Sequence, residues 1–397
     1  MQRGLRPVVT VWLAWLLLMA GANLATPLYA VYATRFHFSS LVLTAIFATY
    51  AVVLVPALVL FGRLSDSIGR RLVILLGLGF AVGGLALFAA AQSTAWLFGG
   101  RLLQGLAVGM ISGAATAALV ELDPGDDRRR AALLAGLAQA GGSALGPLVA
   151  GVVAQWAPAP RQLCFVVTLA ATVVAALFVL REPEPERRDR ERWTIQWPRV
   201  PRRVRGPFMR VSLTAAVVWA TVALFLSIVP SYARSILKTK NLALLAAIAA
   251  LALLASSAAQ IAAQRRSGSG RRDQTIGLVL LAIGLGGVIL ASPLGSLPLL
   301  VVGAAAAGAG HGLAFVNAQE ELNELAPAEH RGEVTAAFIA CIYALVATSV
   351  IATGILDQWF SLELSVDAVS GALIVLALAG AALQTGVYGY RYEEACT

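Results

Sequence analysis

The sequence predicts an all-α membrane protein of twelve transmembrane helices in two six-helix bundles, with both termini cytoplasmic. Three observations carry this prediction. Of 397 residues, 59% are hydrophobic and only 13% charged, with a mean hydropathy of +0.79, which is more apolar surface than a soluble domain buries. That surface is divided into twelve runs of bilayer-crossing length. Basic residues then gather on alternate connections between the runs.

An apolar run of about 20 residues crosses the roughly 30 Å hydrocarbon layer as a helix. Such runs lie near 8–31, 41–62, 72–92, 96–119, 130–156 and 162–181, then near 209–232, 242–264, 275–292, 297–319, 332–356 and 369–388. The first follows Arg3 and Arg6 and leads directly into further spans, which favours a span over a cleaved signal peptide. With a cytoplasmic N-terminus, the inner connections hold Arg63, Arg70 and Arg71; Arg128, Arg129 and Arg130; the arginines of the central loop; Arg265, Arg266, Arg271 and Arg272; Arg331; and Arg391. The exceptions among the 30 basic residues are Arg35, Arg161, Arg234, Lys238 and Lys240 on the outside and Arg101 within a span. This is the positive-inside pattern repeated loop after loop.

The net charge of +9 does not point to nucleic acid, because the basic clusters carry no interleaved aromatic residues for base stacking. No metal is expected, since His37, His311 and His330 are scattered, and Cys164, Cys341 and Cys396 form no CxxC pair. No cofactor is expected either. A phosphate-binding loop needs Gly-Lys-Ser/Thr, and both lysines sit in the outer Lys238-Thr-Lys240 connection. The arginine-, alanine- and glycine-rich composition suggests GC-rich bacterial coding, and hence a bacterial inner membrane.

The long polar stretch Arg181–Arg210 separates an N-terminal bundle (1–181) and a linker (182–208) from a C-terminal bundle (209–397). The halves repeat at an offset of 203: Pro27 with Pro230, Tyr29 with Tyr232, Gly105 with Gly308, Gly109 with Gly312, Pro124 with Pro327, Arg128 with Arg331, Gly151 with Gly354, and Gln155-Trp156 with Gln358-Trp359. Duplicated halves are a recurrent transporter design, with the solute site between them near the midplane.

Three motifs carry further information. The connection after the second span reads Gly62-Arg-Leu-Ser-Asp66-Ser-Ile-Gly69-Arg70-Arg71. It resembles the signature loop G-x-L-a-D-r-x-G-r-k of the major facilitator superfamily, with Ser67 departing from the usual basic residue. The resemblance implies that Asp66 caps the eleventh span near Gly332 and latches the halves on the cytoplasmic side. Gly270-Arg271-Arg272 reads as a degraded second copy without its acidic residue. The fourth span contains Gly100-Arg101-Leu-Leu-Gln104-Gly105, similar to the family's R-x-x-q-G motif, which is associated with ion coupling. A charge within a span is by default functional; Arg101 is also close enough to the outer end to snorkel. The fifth span has Gly142, Gly146, Pro147 and Gly151 where the family's antiporter motif has them, with Ala150 in place of a glycine. Small residues at this spacing let helices approach, and Pro147 bends the helix.

The first six spans hold no central carboxylate, so His311 in the tenth is the titratable candidate for proton coupling. Further cavity candidates are Asn23, Thr26, Tyr29, Gln104, Gln139, Trp219, Ser227, Ser257, Asn317 and Tyr343. The expectation is a monomeric secondary exporter of a small solute (a drug-like compound, sugar or metabolite) by proton antiport. The alternatives are a carrier of an anionic metabolite with Arg101 as countercharge, or a sensor that kept the fold and lost transport. No catalytic constellation suggests an enzyme.

Overall fold

The structure is a computed structural model and describes residues 5–62, 64–123, 125, 128–184, 197–264, 270–327 and 330–385. Arg3, Arg63, Pro124, Arg187, Arg188, Arg190, Arg192, Arg265, Arg266, Arg391 and Cys396, all used in the sequence reading, lie outside the described residues, as does most of the linker. Twelve helices among the described residues are long and apolar enough to cross a membrane.

In the first half, α1 (Arg6–Asn23), a 3₁₀ turn (Thr26–Leu28) and α2 (Tyr29–Phe36) form the first span. It is followed by α3 (Ser40–Phe61), the short α4 (Leu64–Ile68), α5 (Arg70–Ala89), α6 (Thr94–Leu122), α7 (Arg128–Trp156) and α8 (Leu163–Arg181). In the second half, α9 (Arg205–Ser227) and α10 (Val229–Leu237) are followed by α11 (Leu242–Gln264), α12 (Gly270–Leu294), α13 (Leu297–Leu325), α14 (Arg331–Leu356) and α15 (Leu362–Thr385). Two runs that read as continuous are broken. Pro27 sits at the start of the 3₁₀ turn and Pro230 at the start of α10, and a proline both lacks the N–H and clashes with the preceding turn. The last span also begins seven residues earlier than hydropathy indicates, because Glu363 and Asp367 lie in its first turns.

Each half packs in the same way. In the first, α1 lies against α7, α6 and α8, α3 against α6, and α5 against α6 and α8. In the second, α9 lies against α14, α13 and α15, α11 against α13, and α12 against α13 and α15. Apolar side chains such as Val52, Ile283, Val302 and Val375 point outward from both bundles, as helices bathed in lipid require.

The structure refines the register of the repeat. Tyr32 donates its hydroxyl hydrogen to the Phe88 carbonyl, and Tyr232 donates to that of Val288 (2.8 Å). Gly84 packs on the Gly100 carbonyl as Gly284 does on that of Gly303. Tyr232 is thus equivalent to Tyr32 rather than to Tyr29. The first and third helices correspond at an offset of 200 and the fourth at 203, because α12 runs longer than α5 before the turn into α13.

The halves meet along α7 with α11 and α3 with α14. At the end away from the basic loops, these contacts are made by backbone. A Cβ on Gly151 would collide with Ala246 and lie 2.9 Å from the Leu242 carbonyl oxygen. A Cβ on Gly354, its repeat partner, would collide with Thr44 and lie 3.0 Å from Leu41 Cα. The side-chain oxygen Oε1 of Gln155 accepts the N–H of Leu242 at 2.8 Å, closing the start of α11. At the basic end a longer group joins the halves, the Gln260 side chain of α11 reaching Gly136 of α7, and the linker meets the second half where the Arg199 N–H donates to the Glu333 carbonyl at 3.4 Å.

Candidate functional site

Candidate groups gather in two clusters, one on α1, α6 and α7 of the first half and one on α9, α11 and α13 of the second. In the first half, Arg101 of α6 is 1% exposed and turned into the bundle, not toward the interface. Its Nη1 donates to the Ala22 carbonyl (2.6 Å) and to Gln104 Oε1 (3.1 Å), and Gln104 in turn donates to the Gly21 carbonyl (3.1 Å). The rings of Phe47, Tyr29 and Tyr50 lie 5.1, 5.5 and 5.7 Å from its Cζ, within cation–π range. Asn23 donates to the Met19 carbonyl and, at 3.1 Å, to Ser143 of α7.

In the second half, His311 of α13 is equally buried. Its Nδ1 lies 2.7 Å from Ser256 Oγ, which also accepts from Gln260 at 3.2 Å, while Nε2 has no partner. Trp219 stands edge-on to both His311 and Phe315, at 5.1 and 5.4 Å between centroids, and those two rings stack. Tyr50 of α3 and Tyr343 of α14 meet across the halves at 6.3 Å. The two polar clusters thus flank an aromatic seam.

Other candidates are placed differently. Asn317 donates to the Leu313 carbonyl (2.8 Å) and faces Gly270 of α12 in its own half. Ser227 and Ser257 bond back to carbonyls of their own helices. Thr26 is buried with its hydroxyl unpartnered, and Gln139 is half-buried on α7.

At the basic end, Gly69 adopts φ 105°, a conformation open to glycine, and turns the chain from α4 into α5. This brings Arg70 between Asp66 and Glu121 of α6, with Glu121 at 3.0 Å and Ser65 Oγ at 2.6 Å. Arg71 donates to the Glu182 carbonyl (2.9 Å) and pairs with Glu184 (3.5 Å). Gly62 closes α3. The second half has a counterpart that sequence reading missed. Glu321 of α13 pairs with Arg210 of α9 and with Arg271 (3.6 Å), and accepts from Gln274 (2.8 Å). Gln384 of α15 bonds Arg210, Gln274 and Thr214. The acidic partner absent from the Gly270-Arg271-Arg272 turn is supplied by the tenth span; an Arg-Arg turn fifty residues before a Glu in both halves was the available signal. In α7, Gly142 and Gly146 accept the α1 backbone at Leu16 and Ala20, and Gly151 accepts α11. That motif therefore joins one helix of its own half to one of the other.

The family model of the Major Facilitator Superfamily matches residues 11–350 and again 237–388. The chain belongs to this superfamily. Solved structures of the superfamily fold cover it almost completely: a nucleoside transporter, NupG, with TM-score 0.75 at 14% identity, covering 96% of this chain and 100% of that one; and a POT family transporter in complex with 5-aminolevulinic acid, TM-score 0.78 at 12% identity, covering 95% and 96%. Among curated relatives, a triacylglyceride transporter of Mycobacteroides abscessus is 34% identical over 139 residues, 34% of this chain and 26% of that protein. Tetracycline resistance protein, class E, of Escherichia coli is 34% identical over 142 residues, 36% of this chain and 34% of that one. The chain thus aligns with a quarter to a third of the length of these relatives. It is a multi-pass membrane protein of the superfamily.

Proposed function

We propose that the protein is a secondary transporter that exports a small solute in exchange for protons, with its basic loops in the cytoplasm of a bacterial cell. The observation that carries the reading is the asymmetry of the seam. Close approach at Gly151 and Gly354 closes the end away from the basic loops, whereas at the basic end Gln260 reaches Gly136 through its side chain. One state of an alternating-access cycle has this form, with the exit sealed and the cytoplasmic side free to part. Closure of the basic end would bring Asp66 onto the start of α14, as the signature loop implies, and the helix N-terminus there favours a carboxylate.

His311 supports proton coupling by its geometry. Nδ1 shares a hydrogen bond with the Ser256 hydroxyl whose direction is set by the tautomer, and Nε2 is unpartnered; protonation makes both ring nitrogens donors and so fixes that bond as donated by the ring. Export agrees with the α7 motif and with relatives that include a tetracycline resistance protein and a triacylglyceride transporter. The test is a solute screen in proteoliposomes with an imposed pH gradient and an internal pH dye. Solute flux coupled to proton counterflow is the expected result. Flux insensitive to the gradient would remove the antiport, and absence of flux for every solute class would leave a membrane sensor.

A further inference from the structure

Half of the Arg101 guanidinium is unused. Nη1 serves the Ala22 carbonyl and Gln104, but Nε and Nη2 are buried without a hydrogen-bond partner. In a planar guanidinium the Nε hydrogen and one Nη2 hydrogen point the same way, forming the edge that grips a carboxylate through two parallel bonds. The hydroxyl of Tyr29, whose ring lies 5.5 Å from Cζ, is buried against the same guanidinium. Arg101 forms no ion pair among the described residues; the groups facing it are Ala22, Gln104 and the rings of Tyr29, Phe47 and Tyr50. Aromatic faces offset only part of the cost of stripping water from a guanidinium, and a desolvated charge with no counter-charge is strongly unfavourable. Two orphaned donors on one buried cation, with the Tyr29 hydroxyl beside them, describe a site completed by an anion.

We propose that the Nε/Nη2 edge of Arg101 and the Tyr29 hydroxyl bind the carboxylate of the solute. The proposal rests on the transporter reading for the solute's passage but not for its binding. A dianion is disfavoured, since its second charge would meet no further cation among the residues facing this pocket. Chloride would engage the fork less well than two carboxylate oxygens. Tyr50, whose ring faces Arg101, also meets Tyr343 across the halves. The solute class is therefore a monocarboxylate with an aromatic or apolar body. Binding it would place a ligand charge against α1 and α6 and its body between the halves.

The test is calorimetric titration of the full chain in nanodiscs with benzoate, benzamide, benzylammonium and chloride. Benzoate is expected to bind, with the other three at least about tenfold weaker. Arg101→Gln should weaken benzoate by about tenfold or more, and Arg101→Lys should recover only part of the loss. Tyr29→Phe should weaken benzoate several-fold. If Arg101→Gln does not fold, the lysine and phenylalanine variants carry the test. Benzamide, benzylammonium or chloride binding as tightly as benzoate would overturn the proposal. So would benzoate affinity unchanged in both Arg101→Lys and Tyr29→Phe, or no benzoate binding to the wild type. Benzoate bound without any flux in vesicles would refute the transporter reading and leave this site standing; proton-coupled flux of a permanent cation, without benzoate binding, would do the reverse.

Discussion

Replacing Gly354 by valine should hold the exit end open. In the sealed state a Cβ at this position has no room: it collides with Thr44 and lies 3.0 Å from Leu41 Cα, both on the opposite half. Overpacking of a close-packed contact costs about 1–3 kcal/mol. The two halves move apart at this end when the seal opens, so that cost falls on the sealed state alone. At about 1.4 kcal/mol per tenfold, the equilibrium shifts toward the open state by roughly 5- to 150-fold. The assay is the distance between spin labels at Ser93→Cys and Lys240→Cys, one on each half at this end, in a background without the three native cysteines. Gly354→Val should lengthen the dominant distance, Gly151→Val should do the same through Ala246 and Leu242, and Gly286→Val should not, because a Cβ there meets nothing within 4 Å. A folded Gly354→Val protein with the wild-type distance distribution would refute the idea that these glycines form the seal.

Three further outcomes follow from the two ends and the middle. Asp66→Ala should slow transport by about tenfold or more at unchanged expression, since it removes both the Arg70 pairing and the carboxylate available to cap α14; wild-type turnover in vesicles would contradict this. Glu321→Gln should lower stability by about 1.5–3 kcal/mol, because Arg210 and Arg271 lose a charged acceptor. Thermal unfolding in detergent measures this, and a double-mutant cycle with Arg210→Gln should show that the two losses are not additive. His311→Gln should preserve solute exchange but uncouple it from an imposed pH gradient. Gradient-driven accumulation at the wild-type rate would remove the histidine from the coupling.

Spans were legible in the sequence because a lipid solvent enforces length and hydropathy on every one of them. The breaks at Pro27 and Pro230 were not, since each proline sits inside an otherwise uninterrupted apolar run and only the backbone reveals where the helix restarts. The repeat was visible through its rarer residues, yet a single offset concealed the step from 200 to 203. Identities in α6 and α13 set the offset, and the extra residues of α12 lie at its loop end, where hydropathy carries no register. Arg101 was legible as a charge in a span, but its choice between snorkelling and burial depended on the Ala22 carbonyl, a backbone atom of another helix. Glu321 escaped notice for a related reason. It lies near the end of a span, beside Glu320 and Glu324, and its pairing with Arg210 joins residues far apart in sequence. Gly142, Gly146 and Gly151 were legible as small residues at regular spacing, whereas the division of their contacts between α1 and α11 required the packed structure.

Two bundles exposing one central seam to alternate faces of the membrane are best tested at Tyr343, halfway along α14 and in contact with Tyr50 across the halves. With Tyr343→Cys as the sole cysteine, a membrane-impermeant thiol reagent should label sealed vesicles of either orientation. Labelling from the exit side should rise when Gly354→Val is added. Labelling from one face only, in both orientations and with or without the valine, would contradict the alternating seam.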